Sequence, residues 1–155
     1  TLPTFYVAHG GGPLPLIGNP SNPLCSDFVE HFKDLPTMVA SPIKAILVVS
    51  AHWESEVVTV MTNAKTTLEY DYYGFPPESY EIKYPCPGAP EAARRTKELL
   101  EQVGVKVKEE VSRGLDHGVF IPLKVAFPDA GIPTFQLSLL KSLDPVAHLR
   151  MGEAL

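Results

Sequence analysis

A chain of 155 residues with 45% hydrophobic content is long enough to bury one core of ordinary size and too short for two, so a single domain is expected. Eighteen acidic residues against thirteen basic ones give a formal net charge of −5. Apart from short groupings at Arg94-Arg95 and Lys106, Lys108 the basic residues are scattered, which argues against nucleic acid or an anionic membrane as a partner. No run reaches the roughly eighteen apolar residues that span a bilayer, and the first residues lack a basic-then-apolar leader pattern, so a cytoplasmic protein is expected.

In chain order, Thr4 to Ala8 is β-rich and stops at His9 and a Gly-Gly-Gly-Pro turn, the pattern of a first core strand followed by a loop. Asn22-Pro23 opens a predicted helix over about residues 23 to 35, with Phe28, Val29, Phe32 and Leu35 on one face. Ile43 to Ala51 is nearly continuous in apolar residues, which predicts a central strand covered on both faces. Strand, helix and strand of these lengths form the right-handed crossover unit of a parallel sheet.

Val57 to Thr62 predicts another strand, and residues 63 to 90 then carry many aromatic residues, prolines and glycines with little helical pattern. That long segment should lie over something. From Pro90, the stripe Ala92, Ala93, Thr96, Leu99, Leu100, Val103 predicts an amphipathic helix ending at Gly104. Val105 to Val107 suggests a strand, Gly118 to Phe127 a short helix stopped by Pro128, Thr134 to Leu140 a strand, and Asp144 to Leu155 a helix that runs to the last residue. The fold class expected is α/β, a three-layer sandwich with a mostly parallel central sheet flanked by helices.

The candidate chemistry centres on histidines. Ligands of open parallel sheets bind beyond the carboxyl ends of the strands, and His9 and His52 both occupy such ends in this reading. Neutral imidazole is a common ligand for borderline metals, so the two form a candidate metal pair, against the plainer alternative of two hydrogen-bonded structural histidines. Gly10, Gly11 and Gly12 beside His9 leave room for a flat molecule or dioxygen to approach. A phosphate cradle is disfavoured, because no Gly-Lys-Ser/Thr follows the glycines and the loop runs into prolines.

His117, within Gly114-Leu115-Asp116-His117-Gly118, lies at a helix start, where imidazole tends to stay neutral and can donate a hydrogen bond or shuttle a proton. The alternative is that Asp116 caps the helix and His117 merely packs beside it. His31 and His148 read as surface residues without a role. Asp71-Tyr72-Tyr73-Gly74-Phe75-Pro76 is either an aromatic wall for a ring-shaped ligand or plain packing. Cys25 and Cys86 lack CxxC spacing and read as free thiols, and no Gly-x-Ser-x-Gly appears, so nucleophilic hydrolysis has no support.

Taken in order, His9-Gly10-Gly11-Gly12-Pro13, Ser50-Ala51-His52-Trp53, Tyr73-Gly74-Phe75-Pro76 with Tyr84-Pro85-Cys86-Pro87-Gly88, and Asp116-His117-Gly118 resemble the class III extradiol ring-cleavage dioxygenases, in the branch similar to DOPA 4,5-dioxygenase. The resemblance runs along essentially the whole chain. It implies a non-haem Fe(II) site, with Zn2+ an alternative occupant, that opens the aromatic ring of a catechol with O2. It implies His9 and His52 as metal ligands, His117 as the active-site histidine that meets substrate or oxygen, and Gly10, Gly11, Pro13, Trp53 and Phe75 as the substrate-facing positions. Members run about a hundred residues further, and that part carries the third ligand and another catalytic histidine. Residues 1–155 are therefore expected to be the N-terminal portion of a single catalytic domain. Partners implied are a small aromatic diol and O2, with a homo-oligomer allowed; a non-catalytic scaffold of the same fold and a zinc metallohydrolase are the alternatives.

Overall fold

The computed structural model describes residues 2–19 and 21–155, and the side chain of residue 24 is not among them. The elements are α1 (Leu14–Ile17), α2 (Pro23–Asp34), β1 (Ile46–Ser55), β2 (Val58–Met61), α3 (Pro90–Gln102), β3 (Val107–Glu110), α4 (His117–Ala126), β4 (Thr134–Leu140) and α5 (Pro145–Ala154), with 3-10 turns at Leu35–Met38 and Pro77–Glu81. Among the described residues the strands form one sheet in the order β1-β4-β2-β3. β1 pairs parallel with β4 and β2 parallel with β3, while β2 meets β4 antiparallel. Helices lie on both sides of this mixed sheet, as the α/β class requires.

Alternation along β2 and β4 sorts the core into two layers. Val58, Val60, Phe135 and Leu137 point to the side where Ala93, Leu100 and Met151 of α3 and α5 close over them. Met61 points the other way, into a second layer with Trp53, Val119, Phe120 and Ile121. Phe32 and Leu35 then pack α2 against Val125 and Ala126 of α4. Burying a residue such as Leu100 or Phe120 contributes about 1.5–3 kcal/mol, so α3 and α4 are held mainly by these faces.

The helices over 23–34, 90–102, 117–126 and 145–154 and the strands at 58–61 and 134–140 follow the sequence pattern. Asp144 caps α5 by accepting from the Val146 amide at 2.9 Å. β3 starts later than expected because the Val105 amide still bonds the Leu100 carbonyl at 3.0 Å through the turn at Gly104, whose φ is +80°. The parallel crossover is made by β2, α3 and β3 rather than by an N-terminal strand.

Two expectations are corrected. Residues 4–8 are not a strand: no ladder pairs them, and Phe5, Tyr6 and Val7 are exposed, Tyr6 fully. β-propensity yields a strand only where a neighbour completes the hydrogen bonds, and none does so here. As a result the 46–55 strand is an edge rather than the sheet centre, and Val49 on it is 50% exposed. The positions of His9 and His52 change accordingly: His9 lies in irregular chain ahead of α1, and His52 lies within β1 rather than past its end. No helix among the described residues is long and apolar enough to cross a membrane.

Candidate metal centre

β1 loses register with β4 between Val49 and Glu54. Such irregularities bend a strand and re-aim its side chains, and they recur beside active sites. This one carries Ser50, His52 and Trp53. The His52 amide donates to the Ser50 hydroxyl at 3.1 Å, and the hydroxyl donates to Asp116 Oδ1 at 2.7 Å. Asp116 is fully buried and its Oδ2 also accepts from Gln136 of β4 at 2.8 Å and from Arg113 at 3.3 Å. One carboxyl group thus ties β1, β4 and the start of α4 together beneath the histidines.

Asp116 occupies the N-cap position of α4 but makes no side-chain cap bond, which corrects the capping alternative. Asp71 takes that role from the long loop, accepting the His117 amide at 2.8 Å. The same Oδ1 meets His117 Nδ1 at 2.7 Å, and Oδ2 lies 3.5 Å from His52 Nδ1. Within residues 63 to 90, Asp71 and Tyr72 reach this site, while Tyr84 and Cys86 pack into the core layer around α4.

His9, His52 and His117 converge, each offering a ring nitrogen within 4.8 Å of the others. His52 Nε2 and His9 Nε2 are 3.0 Å apart. Two nitrogens bound to one metal at about 2.1 Å stand roughly 3.0–3.4 Å apart, so this pair already has ligand spacing. Burial, followed by the neighbouring His52 and His117 rings, holds the His9 imidazole below its ordinary 6.5, which keeps it in the neutral, metal-binding form. Burial alone would raise the Asp71 carboxyl, but bonds from the His117 ring and amide outweigh it and hold it below the usual carboxylate value. The donor set and its spacing fit a divalent metal.

The other expected positions divide. Gly10 and Gly11 are exposed at the turn, with Gly10 at φ +80°, and Pro13 is buried at the start of α1. Phe75 is half-buried against Gly12 and stands 5.5 Å from the Tyr72 ring, which is itself 5.7 Å from His117. Tyr72 is buried in the core beside His117, with Phe75 packed against it and Tyr73 exposed, and it is fixed there by donating to the Ser79 carbonyl at 2.6 Å. Trp53 is buried in the core with the Arg113 guanidinium 4.8 Å from its ring. Cys25 and Cys86 are buried and free. His31 is exposed, whereas His148, expected at the surface, is half-buried and joins α5 to β4 by accepting from the Leu140 amide at 3.1 Å.

Gly118 was not singled out by the sequence except as a motif member. A Cβ there would sit 2.9 Å from His52 Cδ2 and 3.0 Å from Ser50 Oγ, too close for either without movement. Gly118→Ala is therefore expected to push the His52 ring aside and weaken metal retention at least tenfold while α4 stays folded, since alanine favours helix over glycine by about 1 kcal/mol. Metal titration alongside circular dichroism checks this; unchanged affinity would show that the ring has slack.

A pH effect follows from His9 and Asp71. The unfolded chain takes up a proton at His9 near 6.5, whereas the folded chain resists it, so metal-free protein loses stability as pH falls below 6.5. Asp71, with its folded value below 3.8, stabilises above that pH and gives a further loss as pH drops through its folded value. In chelator, the urea midpoint should be lower at pH 5.5 than at 7.5, by less in His9→Gln; equal gaps would exclude His9 as the source.

Fold and site together define an α/β protein with a three-imidazole cluster suited to a metal. The chain belongs to the family described as the catalytic LigB subunit of aromatic ring-opening dioxygenase, whose pattern matches residues 3–155. It is 41% identical over 157 residues to a dioxygenase of Hapsidospora irregularis, covering 99% of this chain and 48% of that protein. It is 42% identical to the 4,5-DOPA dioxygenase extradiol of Portulaca grandiflora and 38% identical to that of Beta vulgaris, in each case over 98% of this chain and 55% of the relative. The crystal structure of an uncharacterised protein from Escherichia coli K12 superposes with a TM-score of 0.63 at 32% identity, covering 81% of this chain and 46% of that one. The chain thus spans about half the length of these relatives.

Proposed function

We propose that residues 1–155 form the N-terminal portion of the catalytic domain of an extradiol dioxygenase, acting on a catechol such as DOPA or protocatechuate at a non-haem Fe(II) centre. The observation that carries the reading is the meeting of His9, His52 and His117 within 4.8 Å in a chain of this family. His9 and His52 act as metal ligands. His117, held at Nδ1 by Asp71, turns its other ring nitrogen to the substrate side, where it accepts a phenolic proton or donates to bound oxygen. When bound, Fe(II) supplies a place where a diol and O2 meet as neighbours. The net reaction adds O2 across a ring bond beside the diol, leaving both oxygen atoms in the opened product.

Gly10 and Gly11 keep the approach open, the Phe75 ring faces one side of a flat substrate, and Pro13 and Trp53 support the walls from within. The family membership and the donor set support iron; zinc suits the same nitrogens. The close cluster also supports a second reading, in which His117 is itself a third ligand. His117→Ala separates the two: retained metal with lost turnover assigns it to substrate or oxygen, whereas lost metal assigns it to ligation.

Anaerobic reconstitution of the full encoded polypeptide with Fe(II), followed by oxygen uptake with DOPA, protocatechuate and simple catechols, tests the function. Catechol-dependent uptake is expected. No uptake with any catechol would overturn the enzymatic reading and favour a scaffold, and hydrolysis supported by zinc alone would favour a metallohydrolase.

A further inference from the structure

The long loop contributes one group whose geometry goes beyond capping a helix. We propose that Asp71 is a positioning residue whose single carboxylate sets the ring tautomers of His117 and His52 together, so that both turn an unprotonated Nε2 toward the cluster. The proposal rests on the metal-centre reading for its purpose, but the tautomers themselves exist without metal.

An ionised carboxylate accepts hydrogen bonds and cannot donate. His117 Nδ1, 2.7 Å from Asp71 Oδ1, must therefore carry the ring proton, and in the neutral ring the lone pair falls on Nε2. The same Oδ1 accepts the His117 amide at 2.8 Å, so ring and backbone are gripped at one point and the ring has little freedom to turn over. Oδ2 lies 3.5 Å from His52 Nδ1. That is beyond a good hydrogen bond, yet a negative oxygen at this distance favours N–H over a lone pair at Nδ1. The proton kept there leaves His52 Nε2 unprotonated, so across the 3.0 Å to His9 Nε2 it accepts and the His9 ring donates until a metal takes that lone pair.

The two rings stand close, with centroids 4.2 Å apart, and one carboxylate between their Nδ1 atoms serves both. Metal-bound histidines commonly donate their second ring N–H to such a group, which fixes orientation and raises ligand basicity. Sharing one group between two histidines makes their tautomers depend on a single residue. Arg113, half-buried beside Asp116, is engaged by Glu69 and Asp116, so Asp71 remains available to the histidines.

The test uses metal-free protein with 15N-labelled histidine at about pH 8, where imidazole is neutral, because ring nitrogen shifts distinguish a protonated nitrogen from a bare one. In the wild type, His117 and His52 should both be in the Nδ1–H form. Asp71→Ala should mix the tautomers of both. Asp71→Asn keeps an acceptor oxygen without the charge, so His117 should hold its tautomer while His52, which depends on charge across 3.5 Å, loses it.

Zn2+ affinity, by competition with a chromophoric chelator, should fall about 10–100-fold in Asp71→Ala and less in Asp71→Asn. Unchanged tautomers in Asp71→Ala would overturn the proposal, as would mixed tautomers in the wild type. Because these readouts need neither catechol nor oxygen, failure of oxygen uptake would count against the proposed function and leave this inference standing.

Discussion

The chain carrying His52→Ala is expected to retain no metal at stoichiometric loading. His52 Nε2 already stands at ligand spacing from His9 Nε2, at 3.0 Å, and its backbone is held by the Ser50–Asp116 chain rather than by its own ring. The truncation thus removes a donor without removing the support beneath it. Losing a partner behind a ligand costs roughly 10–100-fold in metal affinity, so losing the ligand should cost more than about 100-fold. The ring is exposed on β1, and the fold should survive with a near-wild-type urea midpoint. Equilibrium dialysis against Zn2+ or, without oxygen, Fe(II) reads the result, with His31→Ala as the control that keeps wild-type binding. Unchanged metal content in His52→Ala would remove that residue from the site.

His9, His52 and His117 were legible as candidates, and Asp116-His117-Gly118 does open a helix, but the strand-end placement that paired His9 with His52 was not: His9 lies in irregular chain and His52 within β1. What joins them was not legible either. Asp71 lies 46 residues from His117, in a loop whose aromatic content drew attention to packing instead. Nothing in the spacing marks its carboxylate as the group between two imidazoles.

The error at residues 4–8 has a related cause. β-propensity reports what a segment prefers but not whether a neighbour pairs with it, and Ile43 to Ala51, nearly continuous in apolar residues, read as covered on both faces for the same reason. The strands at 58–61 and 134–140 were easier, since both lie inside the sheet with a neighbour on each side to complete their hydrogen bonds. Gly118 illustrates the remaining gap: a helical glycine looks like a weak point in sequence, and only the His52 ring 2.9 Å from its missing Cβ gives it a purpose.

Asp116→Ala should be among the most destabilising single changes in the molecule. Its carboxyl group is fully buried and receives the Ser50 hydroxyl, the Gln136 amide and the Arg113 guanidinium. Removing it strands the Ser50 and Gln136 donors and leaves Arg113 with Glu69 alone, and Gln136 Oε1 and Arg113 Nε already lack partners among the described residues. Breaking a buried ionic network by deleting one member costs about 3–5 kcal/mol, a large share of the roughly 5–15 kcal/mol that holds a domain folded. For a chain of this size the melting temperature should fall by roughly 10 °C. Ser50→Ala removes one donor and leaves the others served, so it should cost only about 1 kcal/mol, yet it frees the His52 amide and should weaken metal binding out of proportion to its effect on stability. Urea and thermal unfolding of metal-free protein measure both. If Asp116→Ala unfolded within about 1 kcal/mol of wild type, the join between β1, β4 and α4 would have to lie in the apolar layer of Trp53, Val119 and Phe120 alone, and the histidines would then be placed by packing rather than by the polar network beneath them.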